Sequence, residues 1–151
     1  MPLQPSFTAV DPVRPPAGYI GGKRRLAARL IAGIEAVPHR TFAEVFVGMG
    51  GIFFRRRQRP VSEVINDRNG EVANLFRILQ RHYPQFIDTL RWQLSGRKEF
   101  DRLKASDPAT LTDLERAGRF LYLQRLAFGG KVAGQHFGVD VGASAGFNLS
   151  R

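Results

Sequence analysis

The chain has 151 residues, 43% of them hydrophobic with 12 Phe among them, and 23 Lys+Arg against 13 Asp+Glu leave a formal charge of +10. One ordinary domain fits in that length and its apolar content supplies a core, which excludes collagen-like, mucin-like and wholly disordered chains. The absence of cysteine excludes a disulfide scaffold and a cysteine zinc site, and no apolar run approaches the ~20 residues of a bilayer crossing.

In chain order, Met1 to Pro16 holds five prolines and no apolar period, which predicts an extended, poorly ordered leader. No basic-then-apolar signal layout occurs there, so the expectation is a soluble, cytoplasmic protein with no membrane partner. From Lys23 to Ala36 the residues Leu26, Leu30 and Ile34, with Ala27 and Ile31 beside them, predict an amphipathic helix ended by Pro38. Thr41 to Val47 reads as a buried strand, followed by the turn Gly48-Met49-Gly50-Gly51 and a helix. Val61 to Asp67 reads as a second strand, and Asn69 to His82 as a helix with Val72, Leu75, Phe76 and Leu79 on one face. Strand, helix, strand, helix implies a right-handed βαβ unit and a parallel sheet. Pro84 starts a further helix with Phe86, Ile87, Leu90 and Leu94 inward until Gly96. After a polar break around Ser106 to Pro108, Thr112-x-x-Glu115 is a capping box opening a helix that runs to about Phe128. The last 23 residues, with six glycines, predict a hairpin or long loop. The division expected is a leader over 1–16, the first half of an α/β domain over 17–82 and a helical segment over 83–151.

The basic excess points to a polyanionic partner, most often nucleic acid, against the alternative of a merely well-solvated basic surface. The basic residues are 19 Arg and 4 Lys; arginine suits bidentate phosphate and guanine contacts, although a GC-rich genome produces the same skew. The run Arg55-Arg56-Arg57-x-Arg59 suits phosphate contact or a solvated helix end equally. Three scattered histidines, His39, His82 and His136, predict no metal site.

The strongest local signal is Glu44-Val45-Phe46-Val47-Gly48-Met49-Gly50-Gly51 at a strand end. Glycines there let a ligand approach the backbone, and the amides opening the next helix can hold an anion. Asp67 stands about 20 residues later at the end of the second strand, a position from which a carboxylate accepts hydrogen bonds from ribose hydroxyls. Together they point to an adenosine-containing cofactor, the alternative being a tight turn with a capping aspartate and no ligand. The nicotinamide fingerprint fails because Phe53 stands where its third glycine belongs, and no Gly-Lys-Ser/Thr follows Gly48 to make a phosphate-cradling P-loop.

Tyr19 ahead of Gly21-Gly22-Lys23, then Glu44-x-Phe46-x-Gly48-x-Gly50, then Asn66-Asp67-x-Asn69, then Phe120-Leu121-Tyr122-Leu123-x-Arg125, then Phe147-Asn148, resemble in order the motifs of Dam-type (D12 class) adenine-specific DNA methyltransferases. The resemblance runs from about Tyr19 to the last residue. It implies an incomplete Rossmann-like sheet that binds S-adenosylmethionine, joined to a helical target-recognition segment that meets double-stranded DNA. The cofactor contacts it implies are Tyr19, Gly22, Lys23, Glu44, Phe46, Gly48 and Gly50, with Asp67 on the ribose. The DNA contacts expected are Arg125, Phe128, Lys131 and Gln135, with His136 a weaker candidate. Two departures bear on these roles. Val45 stands where the family usually has proline after the acid, which alters rigidity more than chemistry. Phe128-Gly129-Gly130 replaces a Tyr-Asn-Gly triplet; an aromatic able to stack beside a displaced base is kept and the Asn amide is lost.

Adenine-N6 transfer in this family relies on an Asp/Asn-Pro-Pro-Tyr/Phe motif after the recognition segment. No such tetrapeptide occurs in the chain, whose one Pro-Pro is Pro15-Pro16. The resemblance therefore implies the amino-terminal portion of a truncated or split enzyme of bacterial or phage type, from restriction-modification or regulatory methylation, inactive without a carboxy-terminal half. The alternatives left open are a catalytically empty remnant that still holds DNA or cofactor, and a basic nucleic-acid-binding domain whose glycine turn is only structural.

Overall fold

The computed structural model describes residues 6–138, a mixed α/β chain with five helices and two small sheets among them. Backbone contacts divide it into two units: Met1–Pro16 with Gly21–Arg68, and Ala17–Ile20 with Asn69–Arg151.

The first unit is built on a parallel pair, β2 (Thr41–Glu44) and β4 (Ser62–Ile65), in register Thr41 to Ser62 and Glu44 to Ile65. The ladder continues past the strands, with Asn66 N–H donating to Glu44 O and Val47 N–H to Asn66 O at 3.0 Å. The parallel pairing agrees with the βαβ expectation; the crossover does not. Residues after the glycine turn form a single 3₁₀ turn (Phe53–Arg55) and the short strand β3 (Gln58–Arg59), because Phe53 and Arg56 are drawn inward rather than laid along a helix face. Helix α1 (Ala27–Glu35) buries Ala27 against Phe42 and Ile52, with Ile31, Ile34 and Phe53 around them. Its inward stripe is one position round from the one the spacing favours, so Leu26 and Leu30 face solvent. Arg56 is 3% exposed, lies 3.9 Å from the Phe42 ring centroid and 5.1 Å from that of Phe53, and pairs with Glu63. A guanidinium is buried this way only when stacked and ion-paired.

The leader expectation is also corrected. β1 (Thr8–Ala9) pairs antiparallel with β3, and Val10 N–H and Val13 N–H donate to Arg57 O and Phe54 O. Proline-rich chain is already extended, so it pairs along an edge at little entropic cost, and its partner lies too far along the sequence to show as a local period.

In the second unit α5 (Asp113–Leu126) is the central helix. Ala117, Phe120, Leu121, Tyr122, Leu123 and Leu126 are all buried, the pattern of a helix surrounded on nearly every side. Its capping box is present as expected: Thr112 accepts from Glu115 N–H, and the Glu115 carboxylate accepts from Thr112 N–H. Around it pack α2 (Gly70–Arg81), α3 (Tyr83–Leu90) and α4 (Arg97–Ala105). Asn69 caps α2 through Glu71 N–H, and α2 buries Val72, Leu75 and Ile78. Burial of each such aliphatic side chain contributes about 1.5–3 kcal/mol at most. That face meets α5, and Asn74 Nδ2–H donates to Asp113 O at 2.8 Å. The boundary expected at residue 82 therefore falls at 68, since α2 joins the helical unit. Helix α3 stops at Leu90, leaving Leu94 81% exposed, and α4 has too few apolar residues to announce itself, only Phe100 being fully buried.

Candidate functional site

The glycine turn follows β2 directly. Gly48 and Gly50 have φ of +53° and +74°, values that side-chain-bearing residues rarely adopt. Gly48 N–H donates to Asp67 Oδ2 at 2.8 Å, so the turn after β2 is tied to the acid that follows β4, across 19 residues of sequence. Gly50 is excluded from bearing a side chain a second time, because a Cβ would lie 2.4 Å from Phe54 Cδ2. The backbone from Val47 to Gly50 is buried, while Val45 and Phe46 stand 55% and 69% exposed at its entrance.

Glu44 is half-buried and accepts from Phe53 N–H at 3.1 Å. Burial pushes its carboxyl above the ordinary range, opposed by the Lys23 charge, the Phe53 amide and Arg56. The first unit thus brings Lys23, Glu44, Phe46, Gly48, Gly50 and Asp67 into one unit, with Gly48 joined to Asp67 by a hydrogen bond and Glu44 under the charge of Lys23. Gly22 is exposed, and its carbonyl accepts from Arg24 N–H at 2.7 Å. The donor set fits an adenosine-containing molecule: a carboxylate oriented by a backbone amide for a ribose diol, an exposed aromatic ring for a base, and a cation. Among the described residues no group of three or more His, Asp or Glu could hold a metal ion.

Tyr19, the remaining expected cofactor contact, belongs to the second unit. There the chain beyond α5 turns through Phe128–Gly130, with Gly129 and Gly130 at φ of +68° and +64°. Phe128 N–H donates to His136 O and Gly138 N–H to Leu126 O, closing a short antiparallel contact between Ala127 and Phe137. Phe128 is 72% exposed and Lys131 is exposed, the arrangement of a loop that offers an aromatic and a cation outward. Gln135 is 8% exposed and its Nε2 donates to Lys131 O at 2.9 Å, so it braces this turn from within. Arg125 is half-buried on α5, where burial holds its guanidinium below the usual range. The Gly-rich stretch from 139 onward, Phe147-Asn148 with it, lies outside the described residues.

Within the Arg55–Arg59 run, Arg55 donates to Gly51 O at 2.7 Å and Arg56 is buried, whereas Arg57 and Arg59 are exposed. Gln124 is a residue that motif and spacing did not single out. Its signal was available: one amide in a helix stretch otherwise apolar nearly all round.

The family model described as D12 class N6 adenine-specific DNA methyltransferase matches residues 19–138. A Type II methyltransferase of Lactococcus lactis subsp. cremoris, M1.LlaDCHI, is 33% identical over 124 residues, which cover 78% of this chain and 43% of that protein. The chain thus spans less than half the length of the relative it matches.

Proposed function

We propose, from the premise that the chain belongs to the D12 class N6 adenine-specific DNA methyltransferase family, that it binds S-adenosylmethionine and double-stranded DNA as part of an adenine-methylating enzyme with a Rossmann-like sheet. The observation that carries the reading is the Gly48 N–H to Asp67 Oδ2 hydrogen bond, which aims a carboxylate at the turn where β2 ends. In open α/β sheets, ligands bind outside the carboxyl ends of the strands. S-adenosylmethionine, when bound, supplies an electrophilic methyl group. Asp67 accepts from its ribose hydroxyls, Phe46 offers a ring to the base, Gly22, Gly48 and Gly50 allow close approach of the backbone, and Lys23 and Glu44 hold the charged end, with Tyr19 as a further aromatic contact. Phe128, Lys131 and, on α5, Arg125 face the DNA, and Gln135 holds the turn that carries Phe128 and Lys131. The +10 charge favours attachment to phosphate.

The sequence contains no Asp/Asn-Pro-Pro-Tyr/Phe tetrapeptide, so a complete reaction draws that motif from another stretch of polypeptide. Calorimetric titration of the chain with S-adenosylmethionine tests the cofactor reading. Asp67→Ala is expected to weaken binding by about 1–3 kcal/mol through lost hydrogen bonds, with Asp67→Asn falling between because it keeps one acceptor. Equal affinity for all three proteins would remove Asp67 from the site. Methyl transfer from labelled cofactor to an adenine-containing duplex by this chain alone would overturn the need for a further polypeptide.

A further inference from the structure

Gln124 lies on α5 with 1% of its surface exposed. Its Nε2 donates two hydrogen bonds, to Gly18 O at 2.8 Å and to Gly130 O at 2.7 Å. Both partners are carbonyls, so the amide nitrogen is the atom that must face them. Ile20 N–H donates to the same Gly130 oxygen at 3.0 Å. The two backbones approach so closely that a Cβ on Gly130 would lie 3.1 Å from Tyr19 N and 3.2 Å from Gly18 C. One buried amide therefore clips the segment that carries Tyr19 to the turn that carries Phe128 and Lys131.

Gln124 makes this clip while leaving one of its own polar atoms unpaired. Its Oε1 is buried with no hydrogen-bond partner among the described residues, and an unmet buried acceptor costs about 1–3 kcal/mol. An apolar side chain would avoid that cost but could not hold the two carbonyls, which lie 106 and 6 residues away in sequence.

We propose that Gln124 is a positioning residue that couples cofactor binding to the DNA-facing turn. The inference rests on the reading that Tyr19 meets the cofactor and that residues 128–131 meet DNA. A ligand that orders the Tyr19 segment favours the closed clip, and the closed clip fixes the Gly130 carbonyl and with it the direction of Phe128. Linkage makes the effect reciprocal, so DNA on the turn tightens cofactor binding by the same factor.

Amide hydrogen exchange on the whole chain, with and without saturating S-adenosylhomocysteine, tests this. In the unaltered protein the ligand is expected to slow exchange in both 17–20 and 128–131, roughly tenfold as is usual for coupled sites. In Gln124→Met, similar in size but unable to donate, Ile20 is expected to lose protection without ligand, while the middle of α5 keeps its own. Ligand is then expected to protect 17–20 but no longer 128–131. Gly130→Ala, which wedges the same contact open from the turn side, is expected to reproduce this uncoupling and serves if Gln124→Met does not fold. Unchanged ligand protection of 128–131 in either folded variant overturns the coupling, as does a turn that ignores ligand in the unaltered protein while 17–20 responds. Absence of any response in 17–20 of the unaltered protein instead overturns the cofactor role of Tyr19 and the coupling built on it, and the Ile20 result then reports on the clip as a structural device.

Discussion

Replacing Gly50 by alanine isolates the demand that the glycine turn makes on its backbone. At φ of +74° a residue with a Cβ pays roughly 1–2 kcal/mol of local strain. The new methyl would also lie 2.4 Å and 2.7 Å from two Phe54 ring carbons, so that ring must leave its edge-on contact with Phe53, whose centroid is 5.3 Å away. Losing such a pair removes a further 0.5–1.5 kcal/mol or so. The expected destabilisation is about 2–3 kcal/mol, which for a chain of this size lowers the melting temperature by about 5–10 °C. Gly51 is the internal control, since its φ is not positive and a Cβ there would meet Arg55 Nη1 at 3.5 Å, an ordinary contact. Gly51→Ala is expected to stay within about 0.5 kcal/mol of the unaltered protein, helped by the smaller entropy of its unfolded chain. Urea denaturation of the three proteins, followed by circular dichroism, measures both. Equal losses at the two positions, or an undisturbed Gly50→Ala, would refute the claim that left-handed backbone under Phe54 shapes this turn.

Two further outcomes follow from buried polar groups. Burial holds the Glu44 pKa above its usual 4.5, so between that value and the raised one the folded protein carries more protons than the unfolded chain. Stability contributed at this residue therefore falls as pH rises through that window, and Glu44→Gln, which can still accept from Phe53 N–H, should gain on the unaltered protein over the same range; a gain in the opposite direction would contradict the raised pKa. Tyr122→Phe should cost about 1–3 kcal/mol, because the hydroxyl accepts from Gly96 N–H at 3.1 Å and donates to Leu94 O at 2.8 Å. Hydrogen exchange should quicken first at the start of α4, where Gly96 is the cap residue, and a stability equal to that of the unaltered protein would show that water replaces both bonds.

Features legible in the sequence were those carried by short spacings. The Thr112-x-x-Glu115 box placed the start of α5 because its two partners are three residues apart and need nothing else to meet. The apolar period of Gly70–Arg81 was likewise local, as were the strands on either side of the glycine turn, although the first of them ends at Glu44 and is not the buried strand expected, only Phe42 being buried while Val45 and Phe46 are exposed. Errors arose where a long-range partner outweighed the local pattern. Thr8–Ala9 became a strand because Gln58–Arg59 pairs with it; Phe53 and Arg56 turned inward because Phe42 and Glu63 receive the buried guanidinium; α2 left the sheet unit because its apolar face is matched by α5.

The candidate site divides the same way. By itself the sequence determined the residue types, an acid two residues before an aromatic, glycines at a strand end and a second acid some 20 residues on, and the ordered motifs that mark the family. Only the tertiary structure decided that Asp67 closes on Gly48, that Gln135 supports its turn from within, and that Gln124 joins Gly18 to Gly130. Spacing along a chain dictates which side chains share a strand or a helix face, but a hydrogen bond between groups 19 or 106 residues apart forms only once packing has removed water from both and left each the other as its partner.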